Sequence, residues 1–414
     1  MADQQQSLPE RPKEEEGPSK KAQKKAAKEA EKAKKKAEAK AAQSQQGQQQ
    51  QQQPEEDVSK DDYGDLPVMP QETPAGATRR DDLSKVDSEG DVVFRAVVEN
   101  ARKQSAKLGF LNLRQGFSSI QAVIAASETL SRQMVKYAQN IPSQSVVLVH
   151  GLIKKAPEPI NSATIKNFEL HIKKLYTVAR AESPLPIQVE DAEQPLPEEG
   201  QEEVQHEEGG RPVVSLATRL NNRTLDLRTA HNQAIFRLKD GVCDLFASYL
   251  RSQEFVGIQT PKLLGAASEG GSNVFEVSYF SGKAYLAQSP QLYKQMLVAS
   301  RFERVFEIGP IFRAENSNTA RHLTEFTGLD MEMAFEVDYH EVVEMLEGLM
   351  LHIFKGLKER YQKETELVRS WLGTEKVEDF KLPEAGRVPR IPFSEGIKML
   401  KDAGVDINEY DDLR

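Results

Sequence analysis

Cysteine, tryptophan and long apolar runs are all scarce in this 414-residue chain. Its single cysteine, Cys243, excludes an internal disulfide and favours a reducing compartment. The longest apolar run, around residues 145–153, is too short to span a membrane, and the start MADQQQSLPE lacks the apolar core of a secretory signal. The sequence therefore predicts a cytoplasmic protein without a membrane segment.

Hydrophobic residues make up 38% of the chain, which is low for a fully folded protein of a length that predicts two or three domains. The deficit is local, and so is the charge. The net charge is −9, but Lys20–Lys40 is strongly basic and Glu190–Glu208 strongly acidic. A local basic segment can bind phosphates whatever the average charge.

Residues 1–85 are interpreted as a low-complexity extension and linker. The Ala/Lys/Glu-rich part favours a helix with one basic face, but it has no apolar stripe that could pack in a core. A solvated tail and an electrostatic arm for RNA are both compatible with this pattern, and we favour the arm. The Gln tract 45–53 and PEEDVSKDDYGDLP are predicted to be disordered.

Residues 86–182 predict three strands, one helix and two further strands, a pattern typical of a five-stranded OB barrel. Such barrels bind single-stranded nucleic acid by stacking bases on aromatic rings beside basic residues. Phe110 and Phe117 lie near Arg102 and Arg114 in the sequence, so each ring is a candidate for stacking. The alternative is that these rings belong to the barrel core.

Residues 183–212 are rich in Pro and Glu and are interpreted as a hinge, whereas residues 213–414 are globular in composition. HNQAIFRLKDGVCDLFASYLRSQ predicts a long helix, and EFVGIQTPKLLG a strand ending near Pro261. A hairpin and a helix follow, then two long strands, ERVFEIGPIFRAEN and TEFTGLDMEMAFE, and another helix. The whole chain is predicted to be α+β.

The two long strands carry charged residues among apolar ones: Arg313, Glu315, Glu325, Asp330 and Glu332. Burying unpaired charge is costly, so these side chains require partners. Ligands of opposite charge are one possibility, and mutual salt bridges in a solvated sheet are the other.

The letters PKLLGAASEGGSNVFEV, YLAQSPQLYKQ and FRAENSNT–RHLTEFTGLDMEM resemble motifs 1 and 2 of class II aminoacyl-tRNA synthetases, subclass b. The resemblance covers residues 86–414 and is closest to aspartyl-tRNA synthetases of the eukaryotic cytoplasmic type. It implies an OB-fold anticodon-binding domain (86–182) followed by a class II catalytic domain (213–414). It also implies ATP-dependent ligation of L-aspartate to tRNA(Asp) through aspartyl-adenylate.

The resemblance assigns a nucleotide subsite on the strand pair. Arg313 would be the catalytic residue, holding the α-phosphate of ATP and stabilising charge at the reacting phosphorus. Glu315 and Phe326 match residues near the adenine, and Arg321 and His322 match a pair with phosphate or loop-ordering roles.

The resemblance also assigns an aspartate subsite. Ser268 and Glu269 belong to a loop that closes over the bound amino acid, and Gln291 and Lys294 hold the substrate. A cationic Lys294 suits the side-chain carboxylate of aspartate and disfavours asparagine. Asp330 would face the ammonium group.

For tRNA, the resemblance places Arg102, Phe110 and Gln121 at the anticodon, and Ser317 and Thr319 at the acceptor end. The basic arm Lys20–Lys40 would add non-specific tRNA binding.

Three further features concern assembly, the metal and one departure from the family pattern. Pro261 matches the motif 1 proline, which in this class lies at a dimer interface, so a homodimer is expected. Mg²⁺ would neutralise the ATP phosphates, with no metal ligands assigned within this chain. Ala320 stands where relatives are expected to have His, which affects acceptor-end contacts rather than the reaction.

No Gly-rich segment ending in Glu-Arg, the third family motif, follows these motifs. We therefore expect the chain to be C-terminally incomplete and inactive in adenylate formation by itself. Two alternatives remain: a catalytically inactive tRNA-binding or regulatory paralogue, and an OB-fold RNA-binding module with a structural C-terminal domain. Asparaginyl and lysyl relatives share the architecture.

Overall fold

The structure is a computed structural model that describes residues 56–67, 80–195, 212–268, 274–316, 319, 322–373, 377–383, 388–408 and 410. The chain divides into two compact units, residues 1–183 and 184–414. The predicted basic arm, Lys20–Lys40, lies outside the described residues.

The first unit is a closed barrel of five strands with one short strand added. Its elements in chain order are β1 (Tyr63–Asp65), β2 (Gly90–Lys103), β3 (Leu108–Gln115), β4 (Ser118–Ala125), α1 (Arg132–Gln139), β5 (Val146–Lys155) and β6 (Phe168–Ala179). Strands β2 to β4 form an antiparallel meander, β5 pairs with β2 and β6, and β6 closes the barrel by pairing in parallel with β4. The predicted OB fold is confirmed.

Alternation of apolar and polar residues explains why these segments fold as a barrel. Phe94, Val98, Leu111 and Ile120 point inward and are at most 1% exposed, while the intervening side chains face outward. Helix α1 packs against the barrel through buried residues such as Met134. The barrel core is therefore built from the inward-facing half of each strand.

The prediction of a disordered linker is wrong for residues 56–67. Strand β1 pairs in parallel with β6, and the ring of Tyr63 lies 5.1 Å from that of Tyr137. The Tyr63 hydroxyl donates to Asp57 at 2.6 Å, and the buried Ser59 hydroxyl is 2.7 Å from Ser131 Oγ. The segment is polar in composition, and its order comes from pairing with a distant strand, which a local pattern does not show.

The first part of the predicted hinge, residues 183–195, is ordered and contains a short helix. Helix α2 (Val189–Ala192) is short, and Ile187, Val189 and Ala192 are buried. Trp371 Nε1 donates to the Gln194 carbonyl at 3.3 Å, so this stretch is held by the second unit.

The second unit contains two small sheets and seven further helices among the described residues. The helices are α3 (Leu216–Asn221), α4 (Arg223–Asp226), α5 (Ala230–Ser252), α6 (Gln291–Leu297), α7 (His340–Arg360), α8 (Gln362–Leu372) and α9 (Phe393–Asp402). The strands are β7 (Val256–Gly257), β8 (Leu263–Leu264), β9 (Glu276–Tyr279), β10 (Gly282–Leu286), β11 (Arg304–Phe312) and β12 (Glu325–Met333). One sheet has the order β12-β11-β7 and the other β8-β10-β9.

The strand predicted to end near Pro261 is instead two short strands, β7 before Pro261 and β8 after it. Proline lacks a backbone N–H, so it interrupts strand pairing. The predicted hairpin, the two long strands and the flanking helices are present.

One face of the β11–β12 pair forms the core of the second unit. Phe306, Ile308 and Met331 pack with Leu245 of α5 and Ile353 of α7. The opposite face carries the charged side chains that the sequence analysis singled out. Within the described residues, no helix is long and apolar enough to cross a membrane.

Candidate active site

The antiparallel register of β11 and β12 decides which side chains share the second face. The facing pairs on it are Val305 with Glu332, Glu307 with Asp330, Gly309 with Gly328, and Ile311 with Phe326. Because side chains alternate along a strand, Arg313 falls on the same face. Glu325, which the sequence grouped with these residues, lies opposite Phe312 and is exposed.

Arg313 and Phe326 form one end of this face. The Arg313 guanidinium carbon lies 5.7 Å from the centroid of the Phe326 ring. The backbone N–H of Arg313 donates to the Thr324 carbonyl at 3.0 Å, and its Nε lies 3.5 Å from the Gln288 carbonyl. The Arg313 guanidinium and the Phe326 ring are thus neighbours at cation–π distance.

Glu315, Thr319 and His322 lie beyond Arg313. His322 Nε2 is 3.9 Å from Glu315 Oε2, and His322 Nδ1 is 2.6 Å from Thr319 Oγ1. Thr319 therefore contacts His322 directly, which gives the predicted acceptor-end residue a local structural partner as well. The other loop candidates, Ser317 and Arg321, lie outside the described residues, as does Ala320.

Lys294 of α6 is buried at the other end of the face, with 3% exposure. Its ammonium lies 3.3 Å from Asp330 Oδ1, 3.2 Å from the Met331 carbonyl and 3.6 Å from Glu332 Oε2. Gln291 Nε2 donates to Glu332 at 3.0 Å. The charges on β12 are thus matched in part within the protein, and the predicted substrate-binding lysine is already paired.

The two carboxylates and one ammonium of this cluster leave one net negative charge. A ligand bearing an ammonium group would complete the balance of charge at these partly exposed carboxylates. Glu332 and its bond to Gln291 were not among the predicted substrate ligands. The period-2 spacing of Asp330 and Glu332 is the signal in the sequence that places them together.

Gly328 forms the floor between the two ends and is buried. A Cβ atom at this position would lie 2.7 Å from Ile311 Cδ1 and 2.8 Å from Asp330 Oδ2. Glycine at this position therefore leaves room for both side chains.

Ser268 and Pro261 stand on the segments that border this face. The Ser268 hydroxyl accepts from the backbone N–H of Gln288 at 2.9 Å, and Gln288 is the residue whose carbonyl faces Arg313. Pro261 is exposed. Glu269, the other predicted loop residue, lies outside the described residues.

The chain is 47% identical over 360 residues to the cytoplasmic aspartate–tRNA ligase of Homo sapiens, an alignment that covers 86% of this chain and 69% of that protein. This chain belongs to the aspartate–tRNA ligase family. It is therefore an aminoacyl-tRNA synthetase, and the class II family to which it belongs uses ATP. Residues 215–412 match the family of class II tRNA synthetases (D, K and N), and residues 92–178 match the OB-fold nucleic acid binding domain.

Solved structures give the same result. The structure of a putative aspartyl-tRNA synthetase from Leishmania major Friedlin aligns with a TM-score of 0.74 at 34% identity, over 86% of this chain and 73% of that one. The asparaginyl-tRNA synthetase of Pyrococcus horikoshii, solved in complex with asparaginyl-adenylate, aligns with a TM-score of 0.60 at 28% identity. That match covers 78% of this chain and 66% of the other.

The anticodon candidates of this synthetase share the outer face of its barrel. Arg102 is directly opposite Phe110 across β2 and β3, and Gln121 on β4 lies opposite Asn112, two residues along β3 from Phe110. Phe110 is half-buried and its neighbours Arg102 and Gln121 are accessible. In contrast, Phe117 is only 8% exposed, so the interpretation of Phe117 as a stacking ring is wrong and the ring belongs to the protein interior.

Glu99 organises the same outer face of the barrel. Its carboxylate accepts from Asn112 Nδ2 at 2.6 Å and forms an ion pair with Arg114. Arg114, which the sequence placed among the basic residues available to RNA, is therefore neutralised locally.

Among the described residues, no group of three or more His, Cys, Asp and Glu side chains is arranged to hold a metal ion. Mg²⁺ is usually held by one or two carboxylates together with substrate phosphates, an arrangement that does not require such a group.

Proposed function

We propose that this protein joins L-aspartate to tRNA(Asp) in two steps, through aspartyl-adenylate. Membership of the family supports aspartylation of tRNA, and the single observation that carries the finer mechanism is the second face of β11–β12. On that face Arg313 and Phe326 lie at one end, and the Lys294–Asp330–Glu332 cluster lies at the other.

The nucleotide end supports binding of ATP. The adenine would stack on Phe326, and the guanidinium of Arg313 would contact the α-phosphate, where negative charge accumulates as the aspartate carboxylate attacks. Pyrophosphate leaves as the new anhydride bond forms. The substrate carboxylate is itself the nucleophile, so the protein contributes positioning and electrostatic stabilisation.

The amino-acid end supports binding of aspartate. The cluster carries one net negative charge, which favours the ammonium group near Asp330. Lys294 would share its charge with the side-chain carboxylate of aspartate, which an asparagine amide cannot match. Ser268, Glu269 and Gln291 would complete the subsite from the preceding loop and from α6.

The transfer step requires the tRNA at two places. Arg102, Phe110 and Gln121 would read the unstacked anticodon bases on the barrel, and Ser317 and Thr319 would meet the acceptor end. The terminal ribose hydroxyl then attacks the adenylate and releases AMP. The basic arm Lys20–Lys40 would add sequence-independent attraction for tRNA.

Four expectations complete the proposal. The protein acts in the cytoplasm, as the names of its relatives state for them. It forms a homodimer through the Pro261 segment, and Mg²⁺ accompanies the ATP phosphates. We also propose that these 414 residues bind both ATP and aspartate.

The test is calorimetric titration of the chain with ATP and with aspartate, asparagine and lysine, followed by aspartate-dependent ATP–pyrophosphate exchange. We expect saturable binding of ATP and, of the three amino acids, only of aspartate. Arg313→Lys should weaken the binding of ATP but not of aspartate. Asp330→Asn should weaken the binding of aspartate but not of ATP.

Two outcomes contradict parts of this proposal. Binding of tRNA without either small substrate would favour the inactive RNA-binding paralogue. Exchange that depends on asparagine or lysine rather than on aspartate would overturn the proposed substrate.

A further inference from the structure

The carboxylate of Glu307 is buried on the second face of β11, with 4% exposure, and the proposed reaction does not use it. Both of its oxygens are engaged by the two residues that flank Pro261. Oε1 accepts from the backbone N–H of Thr260 at 3.0 Å and pairs with Lys262 Nζ at 3.0 Å, while Oε2 accepts from the Thr260 hydroxyl at 2.8 Å. Lys262 Nζ also donates to Thr260 Oγ1 at 3.0 Å.

This arrangement clamps the Pro261 segment onto the sheet. Hydrogen bonds to an ionised carboxylate are stronger than those between neutral groups, and removing one partner of a buried pair is costly. Gly309, the next residue but one on β11, leaves space for the clamp, because a Cβ atom there would lie 3.1 Å from Glu307 Oε1 and 3.4 Å from Lys262 Nζ.

The clamped segment continues directly to the nucleotide end of the site. The Lys262 carbonyl accepts from Ala287 N–H at 2.9 Å, and the Ala287 carbonyl accepts from Phe312 N–H at 3.0 Å. The residues that follow these two are Gln288 and Arg313, whose carbonyl and Nε lie 3.5 Å apart. A ladder of three backbone segments therefore connects the two flanking residues of Pro261 to Arg313.

We propose that Glu307 is a positioning residue that sets the placement of Arg313 through this ladder, and so couples the Pro261 segment to the nucleotide end of the site. The inference rests on the proposed function, since it assigns ATP to Arg313. The amino-acid end has contacts of its own: Asp330 faces Glu307 across the strand pair, but it is bonded by Lys294, which also donates to the Met331 carbonyl. Loss of the clamp is therefore expected to act unequally on the two substrates.

The test is Glu307→Gln in the full chain, with the dissociation constants of ATP and aspartate measured by calorimetry well below the melting temperature. Glutamine keeps the size and one acceptor but loses the charge that holds Lys262. We expect ATP binding to weaken at least about fivefold, the equivalent of one lost hydrogen bond, and aspartate binding to change less than about twofold.

Glu347→Gln is the matched control. Glu347 also accepts from one backbone N–H, that of Val388 at 3.2 Å, and pairs with one cation, Arg390, but on another part of the second unit. This variant should lower the melting temperature without changing either dissociation constant. Thr260→Val removes the hydroxyl bonds to Glu307 Oε2 and to Lys262 Nζ but keeps the charge pair between Glu307 and Lys262. It should give a milder loss of ATP binding, and it replaces Glu307→Gln if that variant does not fold.

An ATP dissociation constant within twofold of wild type in Glu307→Gln would overturn the inference, and so would an equal loss for both substrates. If the wild-type chain binds neither ATP nor aspartate, the proposed function itself fails, which is a different result. The double variant Glu307→Gln/Lys262→Met adds a further criterion. Its effect on ATP binding should be smaller than the sum of the two single effects, because both changes break one pair.

Discussion

A buried histidine predicts how the second unit responds to acid. His231, near the start of α5, is 3% exposed, and its Nε2 accepts from Arg219 Nη2 at 2.7 Å. Burial, and then the charge of Arg219, lower its pKa from 6.5 to about 4, while Asp226 acts in the opposite sense. The His231 ring stacks on the ring of Trp371, with the two centroids 4.1 Å apart.

The magnitude follows from proton linkage. The unfolded chain takes up a proton on His231 below about pH 6.5, whereas the folded protein does so only near pH 4. Stability is therefore fully present above the unfolded pKa and decreases as the pH falls through this window. A difference of about 2.5 pKa units corresponds to about 3 kcal/mol, of which about 2 kcal/mol is lost between pH 6.5 and 5.

The assay is urea unfolding followed by tryptophan fluorescence at several pH values, because Trp371 is the only tryptophan in the chain. His231→Gln is the control, since its amide oxygen can accept from Arg219 but does not titrate. The free energy of unfolding of the wild type should fall by about 2 kcal/mol more than that of the variant between pH 6.5 and 5. Equal losses in the two proteins would refute the assignment to His231.

Three other perturbations have defined outcomes. Gly328→Ala should destabilise the protein by about 1–3 kcal/mol and weaken aspartate binding, because the new methyl group meets Ile311 and Asp330. Thermal melting measures the stability and calorimetry the binding. The control is Gly282→Ala, whose Cβ would lie 3.7 Å from its nearest neighbour and which should be nearly neutral. Phe110→Ala should weaken tRNA binding by about 1–3 kcal/mol in a filter-binding assay, whereas Phe110→Trp should retain it; equal affinity of all three proteins would exclude stacking. Burial and the Asp57 carboxylate raise the pKa of Tyr63 to about 12. An absorbance titration should therefore show one phenol that ionises at high pH, and Tyr63→Phe should remove it at a stability loss of about 1 kcal/mol. If the late-ionising phenol persists in the variant, the assignment to Tyr63 is contradicted.

Local pattern was sufficient for the elements that carry the site. The apolar alternation in β2 to β6 and in β11 and β12 predicted strands that the structure contains, and the motif letters led to the family that the comparisons establish. The same patterns did not predict the order of residues 56–67 or the short buried helix within residues 184–195. Both segments are polar or proline-rich, so their composition resembles that of a linker.

The roles of individual residues depended on contacts distant in sequence. Phe110 and Phe117 are both aromatic residues near basic ones, yet one lies on the outer face of the barrel and the other is buried. Lys294 reads as a free cation in the sequence, but the fold places it between Asp330 and Glu332. Nothing in the sequence around Glu307 indicates that Thr260 and Lys262, 47 and 45 positions earlier, surround it.

The sequence by itself determined most of the helices and strands, because helical and strand periods are properties of the local chain. Tertiary structure alone decided the register that sets Glu307 opposite Asp330, the pairing of β1 with β6, and the burial of Lys294 and His231. The physical reason is that pairing and burial join residues separated by tens to hundreds of positions. Their free energy comes from packing and charge matching that exist only once the chain has folded.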